Sequence, residues 1–294
     1  MSLRTLIDRT RLPDLPHSGT LRTQLVRSRP RFWLYLAGPV IVGTVFAADS
    51  VDALLSAAPV ALFAYFLVPA NLFLYGVNDV FDADVDRQNP KKADREARYR
   101  GDRATRWAVL TTAGLGLALA LVVPGRAVPW VVGFLALGWA YSAPPLRLKT
   151  RPPLDSVSNG LYVLPGGAAY AAVAGTAPPA LAVLGGWLWA MAMHTFSAIP
   201  DVEPDRQAGI ETTATRLGRR GAAVYCGVVW LLAAGTFALL DYRLGLLFLA
   251  YPVLLVVIEL GDVTVDRAYW WFPAVNTLAG MAFTLGGLWR LVYG

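Results

Sequence analysis

Unbroken apolar runs of 17 to 25 residues recur along this chain, from residue 32 to residue 289. Each is long enough to cross a bilayer as a helix, which takes about 20 residues at a rise of 1.5 Å per residue. Nine such windows can be drawn, at 32–48, 53–77, 107–123, 127–143, 156–175, 180–199, 221–240, 244–260 and 270–289. Lipid offers backbone N–H and C=O groups no partner, so segments like these must be helices or strands of a closed barrel. Barrel strands need only about 10 residues and alternate in polarity, which these runs do not. The sequence therefore predicts an all-α integral membrane protein, a nine-transmembrane-helix bundle. Its composition agrees, at 56% hydrophobic and 16% charged residues with a mean hydropathy of +0.48. Soluble domains carry about 25% charged residues. The single cysteine, Cys226, excludes a disulfide framework within the chain.

The net charge of +6 need not mean nucleic acid, because the basic residues are sorted by side. Residues 1–31 hold 7 Arg, and the segments 78–106, 144–155, 200–220 and 261–269 hold 8, 3, 4 and 1 Lys or Arg. The opposite side and the C-terminal tail carry only Arg126, Arg243 and Arg290. This asymmetry places the N-terminus in the cytoplasm by the positive-inside rule. The two sides also differ in loop length: outer connections have 3 or 4 residues and inner ones 9 to 29. Chemistry is therefore expected on the cytoplasmic face of the cell membrane. Two regions follow: a basic cytoplasmic leader, 1–31, and a nine-helix domain, 32–294, with active-site loops at 78–106, 144–155 and 200–220. Leu21 and Leu25, beside Arg22, Arg27 and Arg29, suit an interfacial helix on anionic headgroups, the alternative being a disordered basic tail. Phe46-Ala47-Ala48 resembles a signal cleavage site, but a 31-residue polar leader precedes its span and eight spans follow, so it reads as a retained helix.

Within the nine windows the only acidic or basic side chain is Glu259, near an inner end. Acidic residues gather instead where two long runs meet inner loops. At the first, Asp79, Asp82 and Asp86 share one helical face with Asn78 adjacent and Asn71 two turns earlier, while Asp84 points away. Like charges at that spacing cost a few tenths of a kcal/mol per pair, so cations should face them. At the second, Asp201 and Asp205 lie four apart, Glu203 points away, and Pro204 argues against an unbroken helix. Two acidic clusters with amide neighbours and no His or Cys partners describe a hard-cation site, with oxygen ligands that suit Mg²⁺ rather than zinc or copper. Mg²⁺ typically takes one or two carboxylates plus phosphate oxygens, so paired clusters imply a diphosphate bridged by metal. Arg147 and Lys149, within Tyr141-Ser142-Ala143-Pro144-Pro145-Leu146-Arg147-Leu148-Lys149, and Arg206 are candidate anion ligands. Lys91, Lys92 and Arg216 read as topogenic charge. His194, seven residues before Asp201, faces the same side; packing is its commoner role. Trp270, Trp271 and Trp289 read as interfacial belts, and Pro69, Pro165 and Pro252 as kinks. No P-loop, serine-hydrolase or zinc-protease motif is present.

NDxxDxxxD (Asn78, Asp79, Asp82, Asp86), YSxPPLRLK (Tyr141 to Lys149) and DxxxDxxxG (Asp201, Asp205, Gly209), in that order, resemble the UbiA superfamily of intramembrane prenyltransferases. The resemblance runs from about Arg29 onward and implies nine helices around a central cavity. It also implies two Asp motifs holding Mg²⁺ and a diphosphate under a cytoplasmic cap. Residues 68–77, 154–166 and 193–200 further resemble the lycopene elongases of fifty-carbon carotenoid synthesis. One departure stands out: many members carry a Lys shortly after the second motif, where this chain reads Gly209-Ile210-Glu211-Thr212-Thr213. Neutralisation of the diphosphate then leans on Arg147, Lys149 and Arg206, with Asn78 and Tyr141 beside them.

The implied reaction ionises an allylic diphosphate, dimethylallyl diphosphate if the closer resemblance holds, and lycopene from the bilayer captures the allyl cation. Apolar helices exclude water, and Phe73, Tyr75, Tyr141, Tyr162, Trp189 and Phe196 are candidates to steady the cation, with Asn71 and His194 in the same pocket. Losing a proton or capturing water quenches the product cation. The rival within the class is an aromatic prenyltransferase of quinone synthesis. A rival outside it is a transporter or lipid-binding protein, disfavoured by span interiors without the charges such proteins use.

Overall fold

The computed structural model describes residues 21–86, 103–261 and 263–293, and for residues 21, 22 and 83–86 the backbone alone. Every regular element among them is helical. In chain order the α-helices of six or more residues are α1 (Leu21–Arg27), α2 (Trp33–Ala47), α3 (Ala57–Leu67), α4 (Pro69–Asp86), α5 (Arg103–Val122), α6 (Val128–Ser142), α7 (Leu164–Ala174), α8 (Ala180–Ala198), α9 (Val202–Gln207), α10 (Thr213–Ala238), α11 (Tyr242–Phe248), α12 (Ala250–Leu260) and α13 (Val265–Tyr293). Among the described residues six stretches are long and apolar enough to span a membrane: Pro30–Ala47, Val51–Asp82, Arg103–Val122, Ala180–Gln207, Thr213–Ala238 and Tyr242–Leu260. Surface residues such as Leu121 and Leu260, 87% and 84% exposed, would be costly in water and suit lipid.

Proline divides the longest apolar run. Pro69 lacks an N–H and restricts the residue before it, so α3 ends at Leu67 and α4 starts afresh at Pro69. Asn71 closes the break, its Nδ2 donating to the Phe66 and Leu67 carbonyls at 3.1 and 3.0 Å. In lipid those carbonyls have no other solvent to turn to. Pro165 likewise lies in the first turn of α7, after a 3₁₀ turn at Ser158–Val163. α1 packs on α4, with Thr23, Arg27 and Ser28 buried and Arg27 donating to Thr105 of α5.

The bundle has two cores. The first joins α2 to α7 around Phe66, Phe73 and Phe134. The second joins α8, α10, α12 and α13 around Phe196, Trp230 and Phe272. The halves meet where α13 packs on α2 and α8 packs on the 3₁₀ turn before α7. α2 and α7 approach backbone to backbone: a Cβ on Gly43 would lie 2.2 Å from the Gly166 carbonyl oxygen. Small residues permit this contact, which drives helix association where burial from water cannot.

Gly43→Val is expected to lower stability by about 1–3 kcal/mol through overpacking, read as a lower midpoint of thermal unfolding in detergent. Gly38→Ala, where nothing lies within 4 Å of the added Cβ, should not lower it. An unchanged midpoint for Gly43→Val would contradict the close approach.

Candidate active site

α4 carries its hydrophobic face into the first core and ends in charge, and the cations expected opposite its acids are present. Asp82, 9% exposed, accepts from Arg147 Nη2 at 3.1 Å and also from Lys149 Nζ. Lys149 donates at 2.9 Å to Asn78 Oδ1, which also accepts from Ser142 Oγ at 3.1 Å. Asp79, 8% exposed, faces Arg29 at 3.9 Å. The Arg29 guanidinium lies 4.4 Å from the centre of the Tyr75 ring. Buried carboxylates are tolerable only when paired in this way. Arg29 and Arg147 both have left-handed backbones, φ 51° and 39°, a conformation non-glycine residues adopt rarely. The Asp86 side chain, Lys91 and Lys92 lie outside the described residues.

The second cluster follows α8. Asp201 ends a 3₁₀ turn and precedes α9, so Pro204 falls in the first turn of α9, where a missing N–H is harmless. Asp201 is exposed and Asp205 half-buried. Gly209 follows α9 at φ 68°, donating to the Arg206 carbonyl at 3.1 Å, and its lack of a Cβ makes that turn inexpensive. Arg206 itself is turned away, its guanidinium on the Thr215 carbonyl at 2.7 and 3.1 Å and near Glu203 at 3.6 Å.

Buried tyrosines lie near these charged groups. Tyr269 lies in electrostatic range of Arg29 and Asp201, and Tyr141 in range of both Asp82 and Asp155. Below them, between the halves, is a cavity lined by Tyr35, Asn159, Tyr162, Trp189, Met193, His194, Ser197, Tyr269 and Asn276, among others. Of the aromatic and polar residues proposed from sequence, Tyr162, Trp189 and His194 line it. Tyr75 touches Tyr162 from the Arg29 side, and Tyr141 meets the His194 ring edge-on at 6.0 Å. Asn71, Phe73 and Phe196 are placed elsewhere, the first at the α3/α4 break and the other two inside the two cores.

Sequence reasoning did not single out Arg29 or Asp155. Asp155 is 1% exposed in a turn of helix at Leu154–Val157. It accepts from Thr213 N at 2.8 Å and Thr213 Oγ1 at 2.5 Å. Thr212 and Thr215 add a reciprocal capping box, so the Thr-Thr pair beyond the second motif starts α10. Arg29 was hidden among topogenic arginines. The signal for Asp155 was an acid just ahead of an apolar run, with two threonines free to cap another helix.

Among the described residues no three His, Cys, Asp or Glu side chains form a self-sufficient metal cage. Paired carboxylates with an amide oxygen are the donor set for an ion that completes its shell with ligand oxygens.

The UbiA prenyltransferase family model matches residues 36–263. The "Lycopene elongase/hydratase" of Haloferax volcanii is 63% identical over 269 residues, 92% of this chain and 89% of that protein. The protein of the same name from Halobacterium salinarum is 61% identical over 274 residues, 93% and 99% of the two chains. A solved UbiA homolog from Archaeoglobus fulgidus, bound to DMAPP and Mg²⁺, shares the fold with a TM-score of 0.75 at 21% identity, over 92% of this chain and all of that one.

Thr213→Val removes one of two donors to the buried Asp155 carboxylate and is expected to cost about 1–3 kcal/mol. Thermal unfolding in detergent measures it, and a variant as stable as the parent would contradict the anchoring role of this pair.

Proposed function

The chain belongs to the UbiA prenyltransferase family, and on that premise we propose that it transfers the five-carbon group of dimethylallyl diphosphate to lycopene, building fifty-carbon carotenoid precursors. The observation that carries this reading is the juxtaposition of buried carboxylates and cations, Asp79 and Asp82 with Arg29, Arg147 and Lys149, above an aromatic cavity. The relatives named lycopene elongase/hydratase support the acceptor. The Archaeoglobus homolog bound to DMAPP and Mg²⁺ supports the donor and the metal.

In this reading Asp79, Asp82, Asp86, Asp201 and Asp205 hold Mg²⁺, with Asn78 orienting the first cluster. When bound, the metal supplies positive charge that stabilises the departing diphosphate. Arg147 and Lys149, already held at the same face, donate to its oxygens, with Tyr141 beside them and Arg206 reaching in by rotation about its side chain. Cleavage of the carbon–oxygen bond leaves an allyl cation. Tyr162 and Trp189 present ring faces to it, each contributing about 0.5–2 kcal/mol, while the apolar bundle excludes competing water. A terminal double bond of the acceptor attacks, forming the new carbon–carbon bond. In this reading the chain crosses the cell membrane nine times, the shorter apolar helices adding to the six long spans, with a cytoplasmic N-terminus, so the soluble donor enters from the cytoplasm and the polyene from the lipid. An aromatic acceptor with a carboxylate would ask for a cation in the cavity, and among the described residues none that lines it is Lys or Arg.

Membranes containing the protein, supplied with Mg²⁺, dimethylallyl diphosphate and either lycopene or 4-hydroxybenzoate, are expected to alkylate lycopene, and mass analysis of the pigments reads the outcome. Alkylation of the benzoate alone would contradict the assignment. Asp82→Asn and Asp205→Asn should each lower transfer by roughly 100-fold or more with the protein still in the membrane, and chelation of Mg²⁺ should abolish it reversibly. Full activity in both variants would refute the shared site.

A further inference from the structure

We propose that His194, backed by Asp155, is the base that takes a proton from the water molecule quenching the elongated cation. This rests on the transfer reaction proposed above and assigns a residue to the step that follows it.

His194 lies on α8, four residues before the helix ends at Ala198 and gives way to the 3₁₀ turn that carries Asp201. Its imidazole is 20% exposed and lines the cavity. Behind it, Nε2 lies 3.9 Å from Asp155 Oδ2, too far for a direct hydrogen bond and within ion-pair range. Thr213 fixes that carboxylate with two hydrogen bonds, from N and Oγ1. A packing histidine would need neither an opening to the cavity nor a buried acid behind it. A metal-binding one would need further ligands, and none gather here among the described residues.

The alternatives for a base are poor. Asp79 and Asp82 face cations, and the remaining protic side chains of the cavity are tyrosines, Ser197 and amides, which bind protons too weakly. His194 is the imidazole among the cavity's side chains, and its neutral ring offers a basic lone pair that the tyrosine, serine and amide groups lack. In this proposal Nε2, the nitrogen nearer the Asp155 carboxylate, is assigned the ring proton and Nδ1 the accepting lone pair. Tyr141, edge-on to His194 and in electrostatic range of Asp82, links the base to the first acidic cluster. Asn159, Ser197 and Asn276 line the same cavity and are the polar groups a water confined there would meet.

The step balances. The acceptor's π electrons form the carbon–carbon bond to the allyl cation and leave a tertiary cation on the acceptor. A lone pair of water forms a carbon–oxygen bond to that carbon. One O–H bond then breaks, its electron pair staying on oxygen and its proton passing to His194 Nδ1. The products are a neutral tertiary alcohol and an imidazolium facing Asp155, whose proton leaves to solvent as the products depart. Nothing is oxidised or reduced.

The test measures how the elongated product divides between alcohol and alkene. Membranes with Mg²⁺, dimethylallyl diphosphate, lycopene and ¹⁸O-labelled water are compared for the parent, His194→Gln and Asp155→Asn, with thermal unfolding of each as a check on folding. The parent is expected to make an alcohol carrying ¹⁸O. In His194→Gln the alcohol fraction of the elongated product should fall by roughly 100-fold in favour of alkene, and Asp155→Asn should shift it the same way. An unchanged fraction in either variant that remains folded, or a parent that elongates without hydrating, overturns the assignment and leaves prenyl transfer standing. A parent that transfers nothing to the polyene overturns both.

Discussion

A carboxylate cannot be buried at the end of a membrane helix without a cation to meet it, and the pairing of Asp82 with Arg147 and Lys149 governs much of what surrounds it. To deliver both cations, the chain must return from α6 through a tight turn, with Arg147 in the left-handed region. Asp79 makes the same demand, met from the opposite direction by Arg29 at the entrance to α2. The charged end of α4 is therefore met by segments distant in sequence. Cations arranged to neutralise carboxylates are equally arranged to receive an anion when metal takes the carboxylates.

The two apolar cores do a different job. Each half packs as a dense aromatic and aliphatic cluster, and Phe73 and Phe196 belong to that packing. What remains between them is lined by polar and aromatic groups from both halves, with Tyr35 hydrogen-bonded to Asn276 across the divide at 3.0 Å. Asp155 ties the divide a second time by anchoring the start of α10. A reaction that makes a carbocation and then quenches it is served by such a division, with rigid apolar walls and a few fixed polar groups.

Apolar length made the helical membrane fold legible, because backbone hydrogen bonding in lipid leaves few alternatives. Residue spacing put Asp79, Asp82 and Asn78 on one face, and the structure brings Arg147 and Lys149 to that face. The breaks inside the runs were harder to place, since a proline signals a kink without saying which side chain repairs it; Asn71 does so before Pro69 can expose carbonyls. Arg29 was indistinguishable from arginines that set topology. Asp155 acts on a helix 58 residues away, and no local period reports a contact of that kind. Arg206 has the right charge near the right motif, yet its guanidinium caps a backbone carbonyl instead, a choice made by tertiary geometry.

The claim on which the rest depends is that acids from the two halves bind one common ligand. The most direct measurement is a double-mutant cycle with Asp82→Asn and Asp205→Asn, reading Mg²⁺-dependent affinity for a non-ionising thiolo analogue of dimethylallyl diphosphate. A shared ligand predicts strong coupling, about 1 kcal/mol or more between the two substitutions, whereas independent sites add to within about 0.5 kcal/mol. Simple additivity would contradict the claim.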